Sequence, residues 1–116
     1  MGDSLPIPSE FGLELSALAV WDPPKSWSRK RREMAIAGLI PKVTRPDLDN
    51  ILKGFKDAVR KIVYHDDDQV VGYGCCYKIY GNRPRLEVRL TIVERVPLVL
   101  PTRPISEHLL TLAAAA

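Results

Sequence analysis

The chain has 116 residues with a formal net charge of +3 and a pI near 9.0. That length fits one domain with a modest core. The mild basicity permits a nucleic-acid partner without demonstrating one. No apolar stretch approaches the roughly 20 residues needed to span a bilayer, and with no basic segment and apolar run at the start, a secretory signal is not expected. The expectation is a soluble, cytoplasmic protein.

Residues 1 to 12, with Pro6 and Pro8, read as an extended leader with room to move. From Leu13 to Val20, Leu13, Leu15, Ala17 and Ala19 alternate with Glu14 and Ser16 before the pattern turns wholly apolar. This predicts a strand with one well-buried end, stopped by Pro23 and Pro24. Ser26 to Ala37 predicts a short helix, opened by Ser26 or Ser28 and closed by Gly38. Its first half carries Arg29, Lys30, Arg31 and Arg32. Such a run is ordinarily a solvated face, but Lys42 and Arg45 continue the positive charge to the edge of an acidic stretch. Contacts of this kind with phosphates give affinity without reading sequence. Trp21 and Trp27 flank the region as packing anchors.

Leu48, Ile51, Leu52, Phe55, Ala58, Val59, Ile62 and Val63 follow the spacing of a helix with one buried stripe. Asp47 stands where that helix begins and suits a cap. Capping leaves Asp49 unexplained, because a second carboxylate two residues on adds repulsion. A pair this close favours a shared divalent cation, with the oxygen donors that Mg²⁺ or Mn²⁺ prefers. Lys53, one turn after Asp49, is by itself consistent with a solvated ion pair. Asp66, Asp67 and Asp68 together need either water or a cation.

Beyond them, Val71, Tyr73, Cys75, Tyr77 and Ile79 alternate with Gly72, Gly74, Cys76 and Lys78, predicting a strand with one apolar face. Gly81 to Arg85 reads as a turn, and Leu86, Val88, Leu90 and Ile92 form the returning strand of an antiparallel hairpin. Adjacent Cys75 and Cys76 point to opposite faces and are poorly placed to bridge; a zinc site has little support. Residues 95 to 116 form a proline-interrupted tail, with a short helix expected at Ser106 to Ala116. The order β-α-α-β-β predicts an α/β (α+β) domain over residues 13–94, a small mixed sheet with the long amphipathic helix on one face.

The strings PDLDNILK and DDDQV, joined by the amphipathic helix and followed by PRLEVRL, resemble the RusA family of crossover junction endodeoxyribonucleases. The resemblance implies a RusA-like fold and a Mg²⁺-dependent nuclease, with Mn²⁺ as a possible substitute, that cleaves four-way (Holliday) junctions in DNA recombination and repair. It implies that Asp47, Asp49 and Asp67 bind the metal and that Lys53 is the essential lysine. Alignment on Gln69 selects Asp67, with Asp66 and Asp68 as neighbours within one residue. A basic stripe of Arg29, Lys30, Arg31, Arg32, Lys42 and Arg45 would track branched DNA. A helix from Leu48 to Ile62 separates its ends by roughly 20 Å, too far for Asp49 and Asp67 to share one ion within a chain. Composite sites in a two-fold homodimer are therefore expected. Members of the family usually have another strand and more helix or loop ahead of the first strand found here. The alternative is a non-catalytic branched-DNA-binding remnant of the same family.

Overall fold

The computed structural model describes residues 5–100. Three strands and two helices follow in the order β1 (Gly12–Trp21), α1 (Arg29–Ile36), α2 (Leu48–Val59), β2 (Val70–Tyr80) and β3 (Arg85–Val93), with one turn of 3₁₀ helix at Asp67–Gln69 before β2. The result is a mixed α+β fold. The expected helix at Ser106 to Ala116 lies outside the described residues.

The sheet order is β2-β1-β3, with β1 parallel to β2 and antiparallel to β3. The expected hairpin is therefore not formed: β3 passes the end of β1 and pairs on its other side. The reason lies in β1, whose Leu13, Leu15, Ala17, Ala19 and Val20 are all buried. A strand this apolar gains most from two flanking strands, and a β2–β3 hairpin would have left it at an edge. The link is short, and it is pinned where the Gly81 N–H donates to the Trp21 carbonyl at 2.8 Å.

β2 also departs from simple alternation. Its register against β1 shifts between Leu15/Tyr73 and Ala17/Cys76, so that Gly74 and Cys75 together oppose Ser16. The Cys75 N–H donates to Ser16 Oγ at 3.2 Å, and a Cβ on Gly74 would overlap that same oxygen. Such a bulge reverses the side-chain order beyond it. Tyr73 thus aligns with Leu15 on the helix side, while Cys76 and Lys78 align there with Ala17 and Ala19. The expected single apolar face through Tyr73, Cys75 and Tyr77 is corrected accordingly. Cys75 is exposed and Cys76 packs on the core, both as free thiols.

The core is compact: Leu15, Ala17 and Leu52 at its centre, with Leu48, Phe55, Val70, Cys76, Val88 and Leu90 against it. Leu48, Leu52 and Phe55 recur at i, i+4 and i+7, which puts the apolar stripe of α2 onto the sheet. α2 stops at Val59, short of the expected Ile62. Arg60 leaves the helical region and Lys61 takes a positive φ of 70°. The chain turns because Tyr64, rather than Ile62, enters the interior: Tyr64 is 0% exposed and Ile62 65%. α1 is capped by Ser28, whose Oγ accepts from the Arg31 N–H at 3.2 Å. It ends where Gly38 takes φ 86°, with Gly38 N–H to the Ala35 carbonyl and Leu39 N–H to the Met34 carbonyl.

Residues 7 to 11, expected as a leader, run along the body of the domain. The Ile7 N–H donates to the Val63 carbonyl at 2.8 Å. Gln69 holds the rest of the segment.

Candidate functional site

The acidic entry lies at the start of α2. Asp47 occupies the N-cap position with extended backbone (φ −67°, ψ 147°), yet its side chain makes no capping hydrogen bond. Asp49 sits in the first turn of the helix, and both carboxylates are exposed. Lys53 is exposed one turn further on, and among the described residues no ion pair joins it to Asp49. Asp47 thus holds the N-cap position without a side-chain cap bond, and Lys53 and Asp49 stand exposed without a close ion pair between them. Asp47 and Asp49 stand exposed at the start of α2 and Lys53 one turn further on, with no ion pair to any of the three among the described residues.

The acidic exit is organised differently for each aspartate. Asp66 caps its own turn, accepting from the Asp68 N–H at 3.4 Å, and Asp68 is exposed. Asp67 turns back toward the end of α2: Tyr64 OH donates to its Oδ1 at 3.0 Å, and Arg60 lies 3.5 Å from its Oδ2. Burial, and then the hydrogen bond to Asp67, push the Tyr64 hydroxyl well above its ordinary pKa of 10.0. Nearby, Lys56 Nζ donates to Tyr73 OH at 2.6 Å, and this bond leads the effects that raise the Lys56 pKa. Among the described residues, no three His, Cys, Asp or Glu side chains are grouped so as to hold a metal ion. Asp47 and Asp49 precede α2 or open it, whereas Asp67 follows its far end, and one chain does not bring the three together.

Gln69 fixes the exit turn. Its Oε1 accepts from the N–H groups of His65 at 2.7 Å and Asp66 at 3.1 Å. Its Nε2 donates to the carbonyls of Pro8 (3.0 Å), Phe11 (3.2 Å) and Ile7 (3.4 Å). A 5% exposed amide thus joins the acidic turn to the chain entering β1.

The basic stripe divides by environment. Arg29, Lys30 and Arg31 are exposed on α1 and Arg32 is half-buried. Arg29 reaches Glu33 at 3.4 Å across a highly exposed pair, and Arg31 stacks 3.9 Å from the Trp27 ring. Trp27 meets Tyr80 edge-on at 5.3 Å. Arg45 is exposed before the acidic entry.

Lys42 is a correction. It is 8% exposed, lies 4.7 Å from the Trp21 ring, and donates to Thr44 Oγ1 (2.6 Å) and to the carbonyls of Arg45 (3.0 Å) and Thr44 (3.5 Å). Its ammonium is thus turned inward onto these acceptors rather than outward to a phosphate. Burial, with the Lys78 charge second, lowers its pKa below the ordinary 10.5. Lys78 itself donates to the carbonyls of Thr44 (2.9 Å) and Pro46 (3.0 Å). Lys78, Tyr64 and Arg60 had no visible signal in the sequence, because a bulge and a turn bring them into place. Gln69 was visible only as part of the DDDQV string.

Fold and site together define an α+β domain that presents a carboxylate pair where its main helix begins and a third carboxylate beyond that helix's end. The chain belongs to the endodeoxyribonuclease RusA family, whose signature matches residues 6–91. It is 45% identical over 63 residues to the uncharacterized protein YqaN of Bacillus subtilis (strain 168), covering 54% of this chain and 44% of that protein. It is 35% identical over 52 residues to the crossover junction endodeoxyribonuclease rusA of Lactococcus phage r1t, covering 45% of this chain and 40% of the phage protein. The chain spans less than half the length of either relative. No solved structure matches it. No helix among the described residues is long and apolar enough to cross a membrane.

Proposed function

We propose that the protein is a Mg²⁺-dependent, structure-selective endodeoxyribonuclease that nicks four-way DNA junctions during recombination and repair. The supporting observation is Asp47, which stands at a helix N-cap and leaves its carboxylate uncapped beside the equally exposed Asp49. Such exposed, hard oxygen donors suit Mg²⁺ or Mn²⁺. Asp47, Asp49 and Asp67 would hold the ion. When bound, it supplies charge neutralisation at the phosphate and a more acidic attacking water.

The protein's own groups do the rest. An aspartate oxygen takes the proton of the attacking water, and Lys53 stabilises the negative charge growing on the phosphate and the leaving oxygen. The products are a 5′-phosphate and a 3′-hydroxyl. Arg29, Lys30, Arg31, Arg32 and Arg45 guide the DNA backbone, and junction shape sets the selectivity.

The active form in this reading is a two-fold homodimer. α2 has 12 residues, about 18 Å of helix, which keeps Asp49 apart from Asp67 within a chain. Antiparallel pairing of two copies places the start of one α2 beside the end of the other, giving composite sites with Asp47, Asp49 and Lys53 from one protomer and Asp67 from its partner.

The test is cleavage of a labelled four-way junction and a matched linear duplex, with Mg²⁺ and with EDTA, by the wild type and Asp49→Asn. Paired, metal-dependent nicks in the junction only, abolished by the substitution, are expected. Mixing Asp49→Asn with Asp67→Asn should restore one working site per heterodimer, and no recovery after verified subunit exchange would refute the composite arrangement. Salt-sensitive junction binding without nicks under any divalent ion would identify a binding-only member of the family.

A further inference from the structure

We propose that Lys78 and Lys42 are positioning residues for Asp47: their ammonium groups hold the carbonyls of Thr44, Arg45 and Pro46 and so present the Asp47 carboxylate outward. The inference rests on the reading of Asp47 as a metal-binding residue and adds to that site the two lysines that set it.

The loop before Asp47 lacks the usual means of staying in place. Pro46 has no N–H, and no backbone N–H donates to the carbonyls of residues 44, 45 or 46 among the described residues. Side-chain ammonium groups satisfy all three. Lys78 bridges the Thr44 and Pro46 carbonyls at 2.9 and 3.0 Å, and Lys42 takes the Arg45 carbonyl, the Thr44 carbonyl and the Thr44 hydroxyl. The carbonyl immediately before Asp47 therefore ends on Lys78.

Both lysines stand on rigid supports. Lys78 lies in β2 opposite the buried Ala19, on the side set by the bulge at Gly74 and Cys75. Lys42 lies against the rings of Trp21 (4.7 Å) and Tyr80 (5.8 Å), which are partners across β1 and β2. A buried lysine is rare unless paired, and here two ammonium groups reach one carbonyl oxygen, with no carboxylate paired to either among the described residues. Burial, and after it the Lys78 charge, lower the Lys42 pKa. The contacts of both lysines fall on the three residues that deliver Asp47. An aspartate at an N-cap ordinarily accepts from a first-turn N–H, and this one does not.

The test uses the full chain with Lys78→Met, Lys78→Arg and Lys78→Gln. Mn²⁺ alone is titrated and its free concentration read by electron paramagnetic resonance, while junction cleavage is resolved into kcat and KM. Groups that orient metal ligands typically change affinity or activity by about 10- to 100-fold. Lys78→Met is expected to weaken Mn²⁺ binding and lower kcat by that order with KM unchanged, and Lys78→Arg to restore most of both. Wild-type Mn²⁺ affinity and kcat in folded Lys78→Met overturn the proposal, as does a loss that merely tracks the fraction unfolded. Should Lys78→Met fail to fold, Lys78→Gln, which keeps a single donating amide, decides: intermediate losses support the clamp and wild-type values overturn it. If the wild type neither binds Mn²⁺ nor nicks junctions, the functional reading fails. The clamp is then judged by amide exchange at Leu48 to Ile51, and exchange in Lys78→Met equal to wild type overturns it.

Discussion

Replacing Gln69 with leucine should destabilise the protein far more than a change of one side chain near a surface turn suggests. Leucine roughly preserves the volume, so the perturbation is the loss of hydrogen bonds around an amide that is 5% exposed. Four of its contacts lie between 2.7 and 3.2 Å, from the N–H groups of His65 and Asp66 and to the carbonyls of Pro8 and Phe11. The fifth, to the Ile7 carbonyl at 3.4 Å, adds little. At about 0.5–1.5 kcal/mol for each of the four, the loss comes to roughly 2–6 kcal/mol. For a domain of this size that lowers Tm by roughly 8 °C or more. Urea unfolding followed by circular dichroism measures it directly, with the slope unchanged if the native state keeps its extent. A loss below about 1 kcal/mol would refute the reasoning, because it would mean water replaces the amide at little cost. Gln69→Glu separates the two halves of the network. It keeps the acceptor for His65 and Asp66 but turns a carboxylate oxygen on three carbonyls, so the group is held protonated and the variant should lose stability as pH rises through the glutamate range.

Tyr64 supplies a pH test. Its hydroxyl is held protonated in the fold by burial and by Asp67, so above its ordinary pKa of 10.0 the unfolded chain releases a proton that the folded chain keeps. Stability should therefore fall with rising pH from about pH 10, by up to about 1.4 kcal/mol per pH unit, and Tyr64→Phe should flatten that fall in alkaline melting curves. Gly54 lies within α2 with open space where a Cβ would stand. Gly54→Ala should raise the unfolding free energy by roughly 0.5–1 kcal/mol in denaturant titrations, and destabilisation instead would reveal a partner packed on that face. If the exposed residues of α1 track phosphates, Lys30→Ala should reduce the slope of log K against log salt for junction binding by about 1.

Much of the architecture was legible in the chain because it depends on local rules. The spacing of Leu48, Leu52 and Phe55 specifies a helix with one buried face, Ser28 and Gly38 bound the shorter helix, and alternation marks the strands. The stripe misled only at its end, where Ile62 keeps helical spacing but the chain has already turned at Lys61 to bury Tyr64. The Asp47 and Asp49 pair was visible through its close spacing, which a single cap does not explain, whereas Asp67 was singled out from its neighbours only by the resemblance of the DDDQV string. The charge run was visible too, but charge does not say which side chains remain free, and Lys42 is not.

The sequence by itself determined the element order, the amphipathic helix and the presence of an acidic entry and exit on either side of it. Each follows from a residue's own chemistry and its spacing from near neighbours. Tertiary structure decided that β1 lies between β2 and β3, that the bulge sends Cys76 and Lys78 to the helix side, and that Gln69 ties the acidic turn to residues 7 to 11. It also decided which aspartate does what: Asp66 caps a turn, Asp67 meets Tyr64 and Arg60, and Asp47 is left uncapped. These outcomes depend on which strand gains most from burial and on which polar groups must be satisfied when distant segments meet, and neither is written in the spacing along the chain.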